Sequence, residues 1–112
     1  MSEHQGKALR YVVTATLPSQ EVFEAYVKWL TDEGHAQAVI DGGASNAEVI
    51  VLDGDGFRVQ TSYTFADREA YAGYEATAAP ALRADGVARF GGVAGVAFSR
   101  TLGPVVFSLG GA

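Results

Sequence analysis

One histidine stands inside the patterned part of this chain: His35, close in sequence to Asp32, Glu33 and Asp41. An imidazole titrates near neutral pH, so it is the side chain best suited to moving a proton, and a nearby carboxylate such as Asp32 or Asp41 can orient its second nitrogen. His35 is therefore the candidate catalytic base. The structural alternative is a loop histidine bonded to a backbone carbonyl or settled at the negative end of its own helix. The other histidine, His4, lies in a polar leader.

Two further groups could bind a ligand. Trp29, Tyr71 and Tyr74 fall at helical positions and could line a pocket for a flat molecule, although such a stripe equally serves a core or an interface. Arg10, Thr14, Arg58, Gln60, Ser62 and Thr64 alternate along two strands. On a lone sheet they form a solvated face; between two sheets they become interior and need partners, waters or a small molecule. The candidate ligand-binding residues are thus Arg10, Trp29, Arg58, Gln60, Ser62, Tyr71 and Tyr74. Whether Arg100 joins them depends on a strand register that the sequence leaves open.

Much chemistry is excluded. With no cysteine, thiolate nucleophiles, disulfides and thiolate metal sites are absent. A single patterned histidine without His-x-x-x-His spacing gives no expected metal centre. No glycine-rich nucleotide motif and no nucleophile motif around a serine occurs, so no cofactor is expected. The formal charge is −5 and the eight basic residues are scattered singly, which argues against nucleic acid and anionic membranes. No apolar run approaches the roughly 20 residues of a membrane span. Met1 to Arg10 holds no apolar stretch of a secretory signal, so a cytoplasmic protein is expected.

These residues must be positioned by an alternation that occurs twice: strand, helix, strand. Leu9, Tyr11, Val13, Ala15 and Leu17 share one face of a first strand that Pro18 ends. Ser19 is placed to cap a helix carrying Val22, Phe23, Tyr26, Val27 and Leu30, with Trp29 at the edge of that stripe. Gly34 stops it, and a short helical piece, His35 to Asp41, precedes a strand over 44–52. Because Val49 to Leu52 is apolar throughout, that strand is expected to be buried on both faces. Asp53-Gly54-Asp55-Gly56 makes a tight turn into the third strand, where Phe57, Val59, Thr61, Tyr63 and Phe65 face one way. Asp67 caps the second helix, Pro80 forces a restart, and a helical piece is predicted over 80–90. A fourth strand is predicted over 93–102, broken by Gly103-Pro104. The order βαββαβ predicts an α+β, ferredoxin-like domain: a four-stranded antiparallel sheet with its helices on one face. At 112 residues there is room for one domain only, taken as 9–103, with a leader at 1–8 and a tail at 104–112 that can serve as an interface strand.

The stretch Tyr26-Val27-Lys28-Trp29-Leu30, then His35, Val39 and Gly42, resembles a family of small uncharacterised bacterial proteins of the dimeric α/β-barrel superfamily. So do Tyr63, Tyr71, Tyr74, Ala79-Pro80-Ala81-Leu82-Arg83, Arg89-Phe90-Gly91 and Ser99-Arg100. The resemblance spans about residues 9 to 103. It implies a homodimer in which two sheets face each other as a dimeric α/β barrel, and no known activity. Superfamily relatives include cofactor-free monooxygenases, isomerases, haem-degrading enzymes and stress-response proteins. The family carries an aliphatic residue and Pro directly after the His, where this chain has Ala36-Gln37, which favours the structural role for His35. The lack of a strong catalytic constellation favours a non-catalytic, self-associating domain that can hold a small ligand between its two sheets; the alternative is a cofactor-independent enzyme of the monooxygenase or isomerase type acting on a small aromatic or polyketide-like substrate in the barrel interior. A cavity on the order of several hundred Å³ with a titratable group in it would favour the enzyme.

Overall fold

The computed structural model describes residues 7–110; His4, most of the leader and residues 111–112 lie outside the described residues. Four strands, β1 (Leu9–Leu17), β2 (Asn46–Val51), β3 (Phe57–Phe65) and β4 (Ala97–Pro104), form one sheet in the order β2-β3-β1-β4. Every neighbouring pair is antiparallel. Four helices, α1 (Gln20–Leu30), α2 (His35–Asp41), α3 (Arg68–Ala76) and α4 (Ala79–Gly86), connect the strands, and a π-helical turn, Val87–Gly91, continues α4. This is the ferredoxin-like α+β fold that the repeated alternation predicts.

Local chemistry explains the boundaries. The Ser19 hydroxyl accepts from the Val22 amide at 3.2 Å, and Asp67 accepts from the Ala70 amide at 2.8 Å, so both main helices begin on capped amides. Gly54 (φ 114°) and Gly56 (φ 81°) take left-handed conformations in the turn between β2 and β3, which a side chain would resist. Pro80 falls in the first turn of α4, where a missing N–H costs nothing.

Four sequence expectations need correction. The helix over 80–90 divides into α4 and the π turn, and β4 begins at Ala97 because Val93 to Val96 form a turn. Gly103-Pro104 does not break β4: Leu9 pairs with Pro104 in register, and an edge strand tolerates a residue without an N–H donor. Finally, β2 is not buried on both faces in the protomer. It is an outer strand, and Ile50 and Val51 are 45% and 55% exposed.

The core lies between sheet and helices, in two clusters. One gathers Leu9, Tyr11, Val39, Tyr63, Phe65 and Tyr74. The other gathers Ala15, Leu17, Tyr26, Trp29, Leu30 and Phe90. Gly42 shows how closely the first is packed. A Cβ there would lie 2.6 Å from the Ala78 Cβ and 3.2 Å from the Tyr74 ring. Its φ of −84° suits any residue, so the obstacle is purely steric. Gly42→Ala should therefore cost about 1–3 kcal/mol by overpacking, and Ala78→Gly in the same chain should recover part of it. Urea midpoints of the two single variants and the double variant measure this; an unchanged midpoint for Gly42→Ala would contradict the contact.

Candidate functional site

Between the two core clusters the packing is incomplete. Across the middle of the sheet, Thr61 of β3 pairs with Val13 of β1, and Val13 with Arg100 of β4. On either side of this row stand aromatic residues; within it stand a Thr, a Val and a cation. The result is a cavity of about 180 Å³ between the sheet and the helices. Tyr11, Val39, Tyr63 and Tyr74 line it from the first cluster, and Tyr26, Trp29 and Leu30 from the second. The exposed members of the lining, Val87, Gly91 and Arg100, mark its mouth at the π turn and β4. π-Helical turns occur often at functional sites.

His35, the first residue of α2, lines this cavity. Its ring stacks on the Trp29 indole with centroids 3.9 Å apart and planes 20° from parallel. The Trp29 Nε1–H donates to Asp85 Oδ2 at 3.0 Å, which holds the indole from α4. His35 Nδ1 is buried without a hydrogen-bond partner, as is the Thr61 hydroxyl in the same wall. Buried polar atoms of this kind are rare in native proteins and commonly mark a site that something else completes. No bond to Asp32 or Asp41 orients the imidazole; Asp41 accepts instead from Gln37 at 2.9 Å. Nor does His35 bond a backbone carbonyl, as a simple loop histidine would; the residue is half-buried and only its Nδ1 is closed off from solvent. Stacking, not a carboxylate, holds it.

Electrostatics keep the imidazole neutral. Burial, only partly offset by the charge of Asp85, pushes it below its ordinary 6.5. It is then available at pH 7 as a proton acceptor. The same shift has a consequence for stability. Below pH 6.5 the unfolded chain takes up a proton that folded His35 refuses, so His35's contribution is whole above 6.5 and is lost as pH falls through its lower folded value. We expect thermal stability to decline as pH falls from 7 through 6.5 and below, and less steeply in His35→Gln. Equal slopes in melting curves across that range would contradict the burial of this ring.

The cavity walls are rich in neutral phenols. Desolvation pushes Tyr26 and Tyr74 up to about 12, and Tyr63 higher still. All three remain protonated donors at neutral pH and none can serve as a phenolate base. Tyr11 accepts a hydrogen bond from Arg100 Nε at 3.1 Å, which leaves its own proton free to donate. Arg83 pairs with Glu75, and Glu75 also accepts from the Tyr71 hydroxyl at 2.9 Å. That pairing, with burial working against it, holds the Glu75 carboxyl below its ordinary value.

Of the residues named from the sequence, His35, Trp29 and Tyr74 meet in the cavity wall. Tyr71 lies behind it, packed on Tyr11, Phe65 and Tyr74. Arg10, Arg58, Gln60 and Ser62 do not line it: alternation in β1 and β3 places them on the opposite, helix-free face, where Gln60 Nε2 donates to the Thr14 hydroxyl at 3.4 Å and Arg58 donates to the Asp53 carbonyl at 2.9 Å. The register also settles Arg100, which shares the helix-side face with Phe98. Sequence reasoning missed Tyr11, Thr61, Tyr63, Arg83 and Asp85. One signal was available: Thr61 is the one small polar residue among the otherwise aromatic and aliphatic inward positions of β3.

The sheet order and the helices on a single face define a ferredoxin-like α+β protein. No protein-family model and no curated protein matches the chain. Solved structures do. A dimeric ferredoxin-like protein from an uncultured marine organism superposes with a TM-score of 0.70 at 14% identity, covering 98% of this chain and 97% of that one. An ethyl tert-butyl ether d family protein from Bacillus halodurans has a TM-score of 0.69 at 14% identity, covering 88% and 99%. A Streptomyces coelicolor monooxygenase from the gene ActVA-Orf6, in complex with nanaomycin D, has a TM-score of 0.68 at 16% identity, covering 99% and 96%. At these identities the likeness is one of fold.

Proposed function

We propose that each protomer binds one small aromatic compound between its sheet and its helices, and that His35 there accepts a proton in a cofactor-independent reaction of the monooxygenase or isomerase type. One observation carries this reading: a neutral, partner-free imidazole stands in the wall of an aromatic cavity. A base near neutral pH, apolar walls that exclude water and phenol donors able to bind an anion as it forms are the parts a proton abstraction needs. The solved monooxygenase with nanaomycin D bound supports the reading by likeness of fold. Native mass spectrometry of the protein exposed to a cell extract tests it. Retention of a small aromatic molecule, lost when Trp29→Ala opens the wall, is the expected result; a protein that retains nothing and leaves aromatic compounds unchanged would overturn it. Retention without turnover would support the non-catalytic reading, which the modest size of the cavity also favours.

We propose, further, that two copies pair through their helix-free sheet faces, in line with the dimeric ferredoxin-like structures to which the chain is similar. Val12 and Ile50 lie there among Arg10, Arg58, Gln60 and Ser62, and no element of the described chain covers them. In that arrangement the polar row becomes barrel interior and holds the two sheets in register. Light scattering should give twice 11.7 kDa; a mass of 11.7 kDa at micromolar concentration would reject the pairing.

A further inference from the structure

We infer that the compound taken by this cavity is a single-ring aromatic carboxylate, its ring against Trp29 and its carboxylate on Arg100. The inference rests on the reading that the cavity is a ligand site and adds the chemical class. Size comes first. An apolar cavity of about 150 Å³ holds a benzene ring, and this one measures about 180 Å³. A second fused ring would have to remain outside the mouth.

Charge comes second. The chain carries a net −5, yet no carboxylate side chain lines the cavity, while two arginines do. These two are not equivalent. Arg83 is neutralised by Glu75. Arg100 has no carboxylate partner among the described residues; its contacts are the Tyr11 hydroxyl, through Nε, and the Phe98 ring at 5.7 Å. Its two Nη groups make no hydrogen bond among the described residues, and a guanidinium end of this kind matches the two oxygens of a carboxylate. The charge of Arg100 also reaches the phenols of Tyr26 and Tyr74. The guanidinium and the Tyr11 hydroxyl thus stand together in the lining of a mainly apolar pocket. A neutral ring would gain nothing from this cation, and a cationic ligand would be repelled by it.

The chain carries one tryptophan, Trp29, and it lies in the wall, so indole fluorescence reports occupancy directly. Titration with benzoate should change it saturably, and benzamide, of the same shape without the charge, should bind at least about tenfold more weakly. Arg100→Gln should bring benzoate to the level of benzamide without moving benzamide itself, and Arg100→Lys should fall between. Equal binding of benzoate and benzamide, or a benzoate affinity unchanged in Arg100→Gln, would overturn the carboxylate assignment and leave the aromatic site standing. Tighter binding of 2-naphthoate than of benzoate would overturn the single-ring limit. If benzoate, benzamide and phenol all fail to reach Trp29 at millimolar concentration, the ligand site itself is wrong.

Discussion

Truncating Tyr74 to alanine is expected to destabilise the fold by about 3–5 kcal/mol, and Phe90→Ala by a similar amount, the range for large buried aromatic side chains. Each ring ties helices to one of the two core clusters. Tyr74, 4% exposed, meets Phe65 at 5.2 Å between ring centroids and Tyr71 at 6.2 Å, and its ring borders Gly42, so it links α3 to β3 and α2. Phe90, 5% exposed, stands edge-on to Tyr26 at 5.2 Å and to Trp29 at 5.4 Å, and so fastens the π turn to α1. Neither site can collapse easily, because the neighbouring rings are held by contacts of their own. Chemical denaturation of the two variants measures the effect. The paired loss has a diagnostic element: Phe90→Ala should also alter Trp29 fluorescence in the folded state, whereas Tyr74→Ala should act on the opposite cluster. Midpoints equal to that of the parent protein would show that the helical layer has been placed wrongly.

The second large effect concerns His35. For a compound that the cavity turns over, His35→Gln should lower kcat by about 10²–10⁴-fold, the usual contribution of a positioned acid–base group. Glutamine keeps a polar planar group against the indole, so binding measured through Trp29 should persist and the loss should fall on kcat rather than KM. In the parent protein the pH–rate profile for such a compound should be flat near pH 7 and fall on an acidic limb below 6.5, because burial lowers the pH at which the imidazole takes its proton. A variant with unchanged kcat, or with the acidic limb intact, would remove His35 from the chemistry and leave it as a packing partner of Trp29.

The architecture was legible in the sequence because its signals are local. Alternation over Leu9 to Leu17 and Phe57 to Phe65 names both strands and the face each presents. Ser19 and Asp67 announce helix starts through hydrogen bonds to amides a few residues on, and Pro80 announces a restart through its missing donor. These are short-range steric and hydrogen-bonding facts, which a sequence carries in full. Signals that depend on what lies beside an element were weaker. The apolar run of β2 reads as a strand buried on both sides, but strand order places it at an edge, and the end of β4 continues through Pro104 for the same reason.

The candidate site was decided by tertiary structure. Polar alternation drew attention to Arg10, Arg58, Gln60 and Ser62 on the helix-free face, whereas the cavity opened on the other side, where two aromatic clusters fail to meet over Thr61, Val13 and Arg100. That gap comes from the register of strands far apart in the chain and from helix packing, and neither leaves a mark on local periodicity. His35 and Trp29 are near in sequence, yet Asp85, which holds the indole on which His35 stacks, comes from the other half of the fold. By itself the sequence determined the elements, their faces and the one histidine of its patterned part. Only the packing of sheet against helices, through contacts between residues far apart in the chain, decided that this histidine would be half-buried, neutral at pH 7 and part of a cavity wall.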